Sequence, residues 1–474
     1  MLILSLSLFL NARAFGAIAG YHGDARRSGD YIAPGLSWAA ARHLRRDAGF
    51  DGRVSGNVYA QPLYWHGMII VATESDEVDA LDAGTGRAIW RVRLGAPTRG
   101  SALPCGDIDP VGVTGTPVID PARGALYLAA MVKRGGQPRY LVFGLRLSDG
   151  KVLPGWPIDA RQALRREGIA FNPLIQGQRS ALALLDNRVF IAFGGRDGDC
   201  GPYHGIVLGI GTDPPAPAAA WKTRGVKGGI WAPGGISAAN GALFFTTGNT
   251  SGARRWADGE GVFRLGPNLT RASNPRDFFA PANWRTLDDD DLDMSGVDPL
   301  PIDLPGAHRL LALGKDGDAY LLNRDDLGGI GGQIAIRHVA DSEIITAPAF
   351  FPEGNRVLVA YQAGGALCPN GGSGGIAALA VTATSLAPAW CAPFDGRGSP
   401  IVTTTDGHSD PIVWAVGTRG DGRLHAYRGD TGAPLYASRS PIPGMAPFIT
   451  ILPADGRLYV AASGRITAFT WSGR

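Results

Sequence analysis

Four side chains of this sequence have types that could do chemistry together. The stretch GGIWAPGGISAANGALFFTTGNT, Gly228 to Thr250, carries Trp231 near its start and Asn249 near its end. Downstream, DDDLDMSGV holds Asp293 and GKDGDAYLLNRDD holds Lys315. An indole offers a flat stacking face. Amide and carboxylate oxygens ligate a hard cation such as calcium. A lysine polarises a carbonyl, and an aspartate takes the proton of an alcohol. One site with all four would suit a polar planar ligand beside a metal ion. Each residue also has an ordinary use: Trp231 in packing, Asn249 and Lys315 in turns, the acidic run from Asp288 to Asp291 in a solvated loop.

The surrounding pattern supplies a way to bring them together. From Gln61 to Gly95 the runs QPLYW, MIIVAT, EVDALDA and AIWRVRL read as four short strands with tight turns between them. The same order returns from Ser399 to Ser440, with weaker copies near Gly115, Arg179, Trp231, Asp298, Ala347 and Pro447. A spacing of roughly 40–60 residues is the period of propeller blades. One blade cannot bury both faces of its sheet, so neighbours pack on it and close a ring. An all-β, eight-bladed β-propeller is expected, with seven blades as the other count. The last copy supplies about three strands, and GFDGRVSG (Gly49 to Gly56) would add the fourth from the N-terminus. In ALDAGTGRAIW, Asp82 and Thr85 can bond backbone amides and Trp90 can dock between blades.

Strands alternate direction within a blade. The start of each innermost strand and the end of the next therefore share one face, beside the axis. Trp231 and Asp293 precede innermost strands; Asn249 and Lys315 follow second strands. Cys105 and Arg179 fall at the first kind of position, and Asp199 and Cys200 at the second. Glu74, Gln362 and Arg419 occupy equivalent places in other blades.

The A-x-D-x-x-T-G-x-x-x-W pattern resembles the repeat of quinoprotein propellers, over nearly the whole chain. Gly228 to Asp326 further resembles the quinoprotein alcohol dehydrogenases. That likeness implies that Trp231 stacks on pyrroloquinoline quinone (PQQ), Lys315 touches the quinone carbonyls and Asp293 is the catalytic base. It also implies that Asn249 and Asp293 hold calcium, with Asp199 or Cys200 where the family has a glutamate ligand. Ser295 stands where lanthanide-using members carry a second acid, which favours calcium. Arg179, Cys105 and Cys200 complete the expected cofactor surroundings. The family's adjacent cysteines are missing: Cys105 is followed by Gly106. A Cys105–Cys200 bridge is expected instead, capping the pocket or blocking it, with Cys368–Cys391 as a structural pair. YHGDARRSG, NVYAQPLY, CGPYHG and DLPGAH also resemble exported bacterial propellers of undefined activity.

The totals agree with a large exported domain. Of 474 residues, 45% are hydrophobic, enough for an extended core, while 69 glycines and 34 prolines argue against long helices. A net charge of +3 without a basic tract argues against nucleic acid. MLILSLSLFLNARA resembles a secretory leader, with a cut after Ala14 or Ala19, giving 1–19 as signal and 20–474 as one propeller. It is too short to span a membrane. Four cysteines fit two disulfides in an exported protein, periplasmic or secreted. No haem motif is present, so an enzyme of this kind would need a separate electron carrier. A monomer is expected.

Two readings remain open: a PQQ-dependent oxidoreductase acting on an alcohol or sugar, or a non-catalytic binding or assembly scaffold with a vestigial quinone site. A polysaccharide lyase or hydrolase ranks last, because no acid–base pair can be singled out for it.

Overall fold

The computed structural model describes residues 17–272 and 274–471. They form eight sheets of four or five strands, joined mostly by tight turns, which makes an eight-bladed propeller. The first blade runs Leu63–Trp65, Met68–Ala72, Glu77–Asp82 and Ala88–Arg93 from axis to rim. Its middle strands are almost wholly buried, whereas the rim strand alternates between exposed and half-buried positions. That gradient is what a sheet packed on both faces produces.

The turn chemistry locks neighbouring blades. Asp82 accepts from the amide of Thr85 at 2.8 Å and from its hydroxyl at 2.7 Å. Trp90 then reaches blade two and donates to the Leu147 carbonyl at 2.9 Å. A β-carbon on Gly150 would come within 2.6 Å of the Trp90 ring, so the indole lies against bare backbone. Trp390 repeats the device on blade seven, donating to Gly429 O at 2.6 Å with Gly432 beneath its ring.

The last blade has three consecutive strands, Ile451–Ala454, Arg457–Ala462 and Arg465–Thr470. Its outer edge is completed from the N-terminal region, where Arg45–Arg46 pairs with Phe469 and Thr470 and Gly52–Arg53 with Arg465 and Ile466.

The N-terminal segment does more than the sequence indicated. Ala17–Ile18 pairs with Tyr64 and Trp65 inside blade one, and Asp30–Ile32 pairs in parallel with Val402–Thr404 of blade seven. Between them the chain crosses the axis. Carbonyls of Ala19, Ala25, Ser28 and Gly29 accept from amides in blades two, four, six and seven. Arg27, 2% exposed, donates to the carbonyls of Tyr21, Leu182 and Ile236. YHGDARRSG is thus a plug in the central channel. The expected leader lies outside the described residues up to residue 16.

The acidic run is exposed at Asp289, Asp290 and Asp291, as expected, but the segment from Asn274 to Asp291 also holds regular structure. Phe278–Ala280 is an outer strand of blade four, and Trp284–Asp290 is a short helix. Asp288, from this helix, accepts from the amide and hydroxyl of Thr250 and is half-buried. No helix among the described residues is long and apolar enough to cross a membrane.

Candidate functional site at the propeller mouth

A half-open cavity of about 610 Å³ lies at the mouth of the axis. Trp231, Asn249, Asp293, Lys315, Arg179 and Asp199 all line it. Glu74, Gln362 and Arg419 are not among its lining residues.

The local backbone explains how the key four converge. The loops GGIW and TTGNT clasp each other: Gly228 N donates to Asn249 O at 2.7 Å and Gly248 N to Gly229 O at 2.9 Å. Gly248 must lack a side chain, because a β-carbon there would lie 2.4 Å from Asp293 Oδ1. Lys315 N donates to Asp293 O at 3.1 Å, which ties two loops of blade five.

Asp293 is the hub. Its carboxylate, 5% exposed as a residue, accepts from Asn249 N at 2.9 Å and from Trp231 Nε1 at 3.2 Å. Lys315 Nζ lies 2.7 Å from Asp293 Oδ2 and 3.1 Å from the Asp291 carbonyl oxygen, and sits 5.4 Å from the Trp231 ring centre. Burial pushes the Asp293 carboxyl up, and the Lys315 ammonium pulls it back. Burial works most strongly against the charge of Lys315, but Asp293, Asp291 and Glu343 together leave the amine above its ordinary value. Behind the pair, Glu260 is fully buried, and its Oε2 accepts from Met294 N at 2.7 Å. Burial and then the nearby Asp293 charge hold Glu260 well above the usual carboxylate range.

The other expected residues take different parts. Arg179 stacks its guanidinium 5.4 Å from the Phe448 ring centre and faces Asp107 at 3.9 Å. Asp199 accepts from Tyr203 Oη at 2.6 Å and pairs with Lys227 at 3.5 Å. Cys105 and Cys200 are bridged, tying blade two to blade three. Neither half-cystine lines the cavity; Gly106 and Asp199 beside them do, so the bridge braces the rim and leaves the space open. Cys368–Cys391 closes a hairpin in blade six.

Several lining residues were not singled out from sequence: Arg196, Lys227, Tyr203 and Glu343. Arg196 follows directly on the second strand of blade three, Arg188–Gly195, so the positional rule would have found it. Glu260 opens a third strand, where the rule says nothing.

The donor set was tested against the implied groups. Calcium wants six to eight free oxygens. Here the Asp293 carboxylate is shared by an ammonium, an indole N–H and an amide, and that of Asp199 by a phenol and an ammonium. Among the described residues no three His, Cys, Asp or Glu side chains are grouped to hold a metal. Asn249, Asp293 and Asp199 therefore do not fit calcium in this arrangement; Lys315 already supplies the positive charge at Asp293. A planar quinone fits better, since a half-buried indole, a lysine beside it and an arginine share one cavity.

No protein-family model matches the chain, and no curated protein sequence does. Solved structures do match. The quinohemoprotein alcohol dehydrogenase from Comamonas testosteroni is 15% identical with a TM-score of 0.66, covering 98% of this chain and 82% of that one. A europium-containing methanol dehydrogenase is 13% identical, TM-score 0.65, covering 96% and 98%. BamB from Moraxella catarrhalis is 12% identical, TM-score 0.52, covering 90% and 99%. The chain thus has the eight-bladed fold of the quinoprotein dehydrogenases, a fold also close to that of BamB.

Proposed function

We propose that the mouth is a quinone-type ligand site, which takes a planar carboxylated quinone of the PQQ class and oxidises an alcohol or sugar. Trp231, Lys315 and Arg179 are the residues that would hold the quinone. When bound, such a quinone supplies the two-electron acceptor. The chain's own residues handle the proton: Asp293 is positioned to accept it from a substrate hydroxyl. Lys315 opposes the effect of burial on that carboxylate, and the Trp231 and Asn249 N–H groups fix its orientation. Both electrons would pass to a separate carrier. No step calls on calcium. The observation that carries this reading is the convergence of Trp231, Asn249 and Lys315 on one carboxylate.

The test is calorimetry with PQQ in chelator and in calcium, followed by dye reduction with alcohols and sugars. Binding in both buffers, lost in Trp231→Ala, is expected. Absence of binding in both removes the proposal. The scaffold reading is favoured by one observation: the Asp293 and Asp199 carboxylates already have partners within the chain. It would be supported by a stable partner recovered from envelope extract. We further propose export to the periplasm or medium, which the two disulfides support.

A further inference from the structure

A second concave site lies on the outer wall, between the rim of blade two and the outer hairpin of blade three. It is a cleft of about 450 Å³, within the range of small-ligand sites. Hydrocarbon lines part of it: Leu141 of blade two, and Pro215 and Pro217 of blade three. Three arginines also line it. Arg134 and Arg139 come from the hairpin of blade two, and Arg166 from the end of the helix Ala160–Arg166.

The one acid in the lining is Asp159. It is already committed twice, capping the helix through Gln162 N at 3.2 Å and pairing with Arg139 Nη1 at 2.8 Å. Arg134 and Arg166 have no ion-pair partner among the described residues. Three arginines less one aspartate leave two uncompensated positive charges in the cleft.

We propose that this cleft binds a small polyanion, a compact molecule bearing at least two carboxylate or phosphate groups. Arginine forks match both groups in bidentate geometry. The pair with Asp159 fixes the Arg139 head in advance and the proline rings stiffen the opposite wall; Arg134 and Arg166 are exposed, and the ligand orders them. Two uncompensated charges call for two anionic groups.

Calorimetry of the full chain with citrate and with pyrophosphate at low salt tests this. Saturable binding of either probe at one site, weakening as salt is added, is expected. In Arg139→Gln/Arg166→Gln the affinity should fall about tenfold or more, equal to about 1.4 kcal/mol, with the melting curve confirming the fold. Arg134→Gln should weaken it less. Trp231→Phe should leave it unchanged, because the mouth lies elsewhere; this outcome does not depend on the quinone proposal. No saturable heat with either probe, equal affinity in the double variant, or loss in Trp231→Phe would each overturn the assignment.

Discussion

Replacing Lys315 by methionine keeps the hydrocarbon stem and removes the charge that faces Asp293. Both side chains are largely buried, 11% and 8% exposed, and they touch at 2.7 Å. Stripping one partner from such a pair leaves an uncompensated charge and costs about 3–5 kcal/mol. The protein can escape that cost only by protonating Asp293. Burial already raises this carboxyl, and loss of the ammonium raises it further. A carboxyl whose folded pKa lies above its unfolded value binds the proton in the folded state. Stability then falls as pH rises from the unfolded value towards the folded one, by up to about 1.4 kcal/mol per pH unit. Lys315 is charged in both states across this range and adds no slope. Urea unfolding of wild type, Lys315→Met, Asp293→Asn and the double variant between pH 4 and 8 reads the effect. The lysine variant should match wild type near pH 4 and lose several kcal/mol by pH 8, and the double variant should recover most of the loss. A deficit that is the same at every pH, or none, would mean that the pair is solvated and the hub reading is wrong.

Three further outcomes follow from other parts of the molecule. Serine at both Cys105 and Cys200 opens a cross-link spanning 95 residues, against 23 for Cys368 and Cys391; chain entropy gives about 4–5 against about 3 kcal/mol, so the first pair should lower the unfolding midpoint more. Asp76 is fully buried with neither carboxyl oxygen hydrogen-bonded, and burial, then the Glu74 charge, push it up to about 8; wild-type stability should therefore fall from about pH 4 to about pH 8, and Asp76→Asn should match it at the acid end and exceed it by pH 8 in thermal melts. N-terminal sequencing of exported protein should begin at Phe15, because a cut after Ala19 would remove the strand Ala17–Ile18 and the carbonyl that holds Ile119 N; a Gly20 start would contradict this.

The blades were legible because their signals are local. Asp82, Thr85 and Trp90 make contacts whose geometry a short pattern can encode, and the alternation of strand direction placed Trp231, Asn249, Asp293 and Lys315 on one face without further information. The channel plug was not legible. Tyr21, His22 and Arg27 are buried by strands hundreds of residues away, and a segment without periodicity gives no sign of that. Calcium illustrates a different limit. Residue types at Asn249, Asp293 and Asp199 suit a metal, but only coordinates show that Lys315, Lys227 and Tyr203 already occupy their carboxylates. The acidic run is solvated at Asp289 to Asp291, as a string of aspartates usually is; only Asp288 is drawn in, by Thr250, which the clasped loops bring beside it.

A crystal of the protein soaked with PQQ in chelator bears most directly on the mouth. Density stacked against the Trp231 indole and within hydrogen-bonding reach of Lys315 Nζ is the expected result. Density elsewhere on the propeller, or a mouth holding only water after a saturating soak, would contradict it.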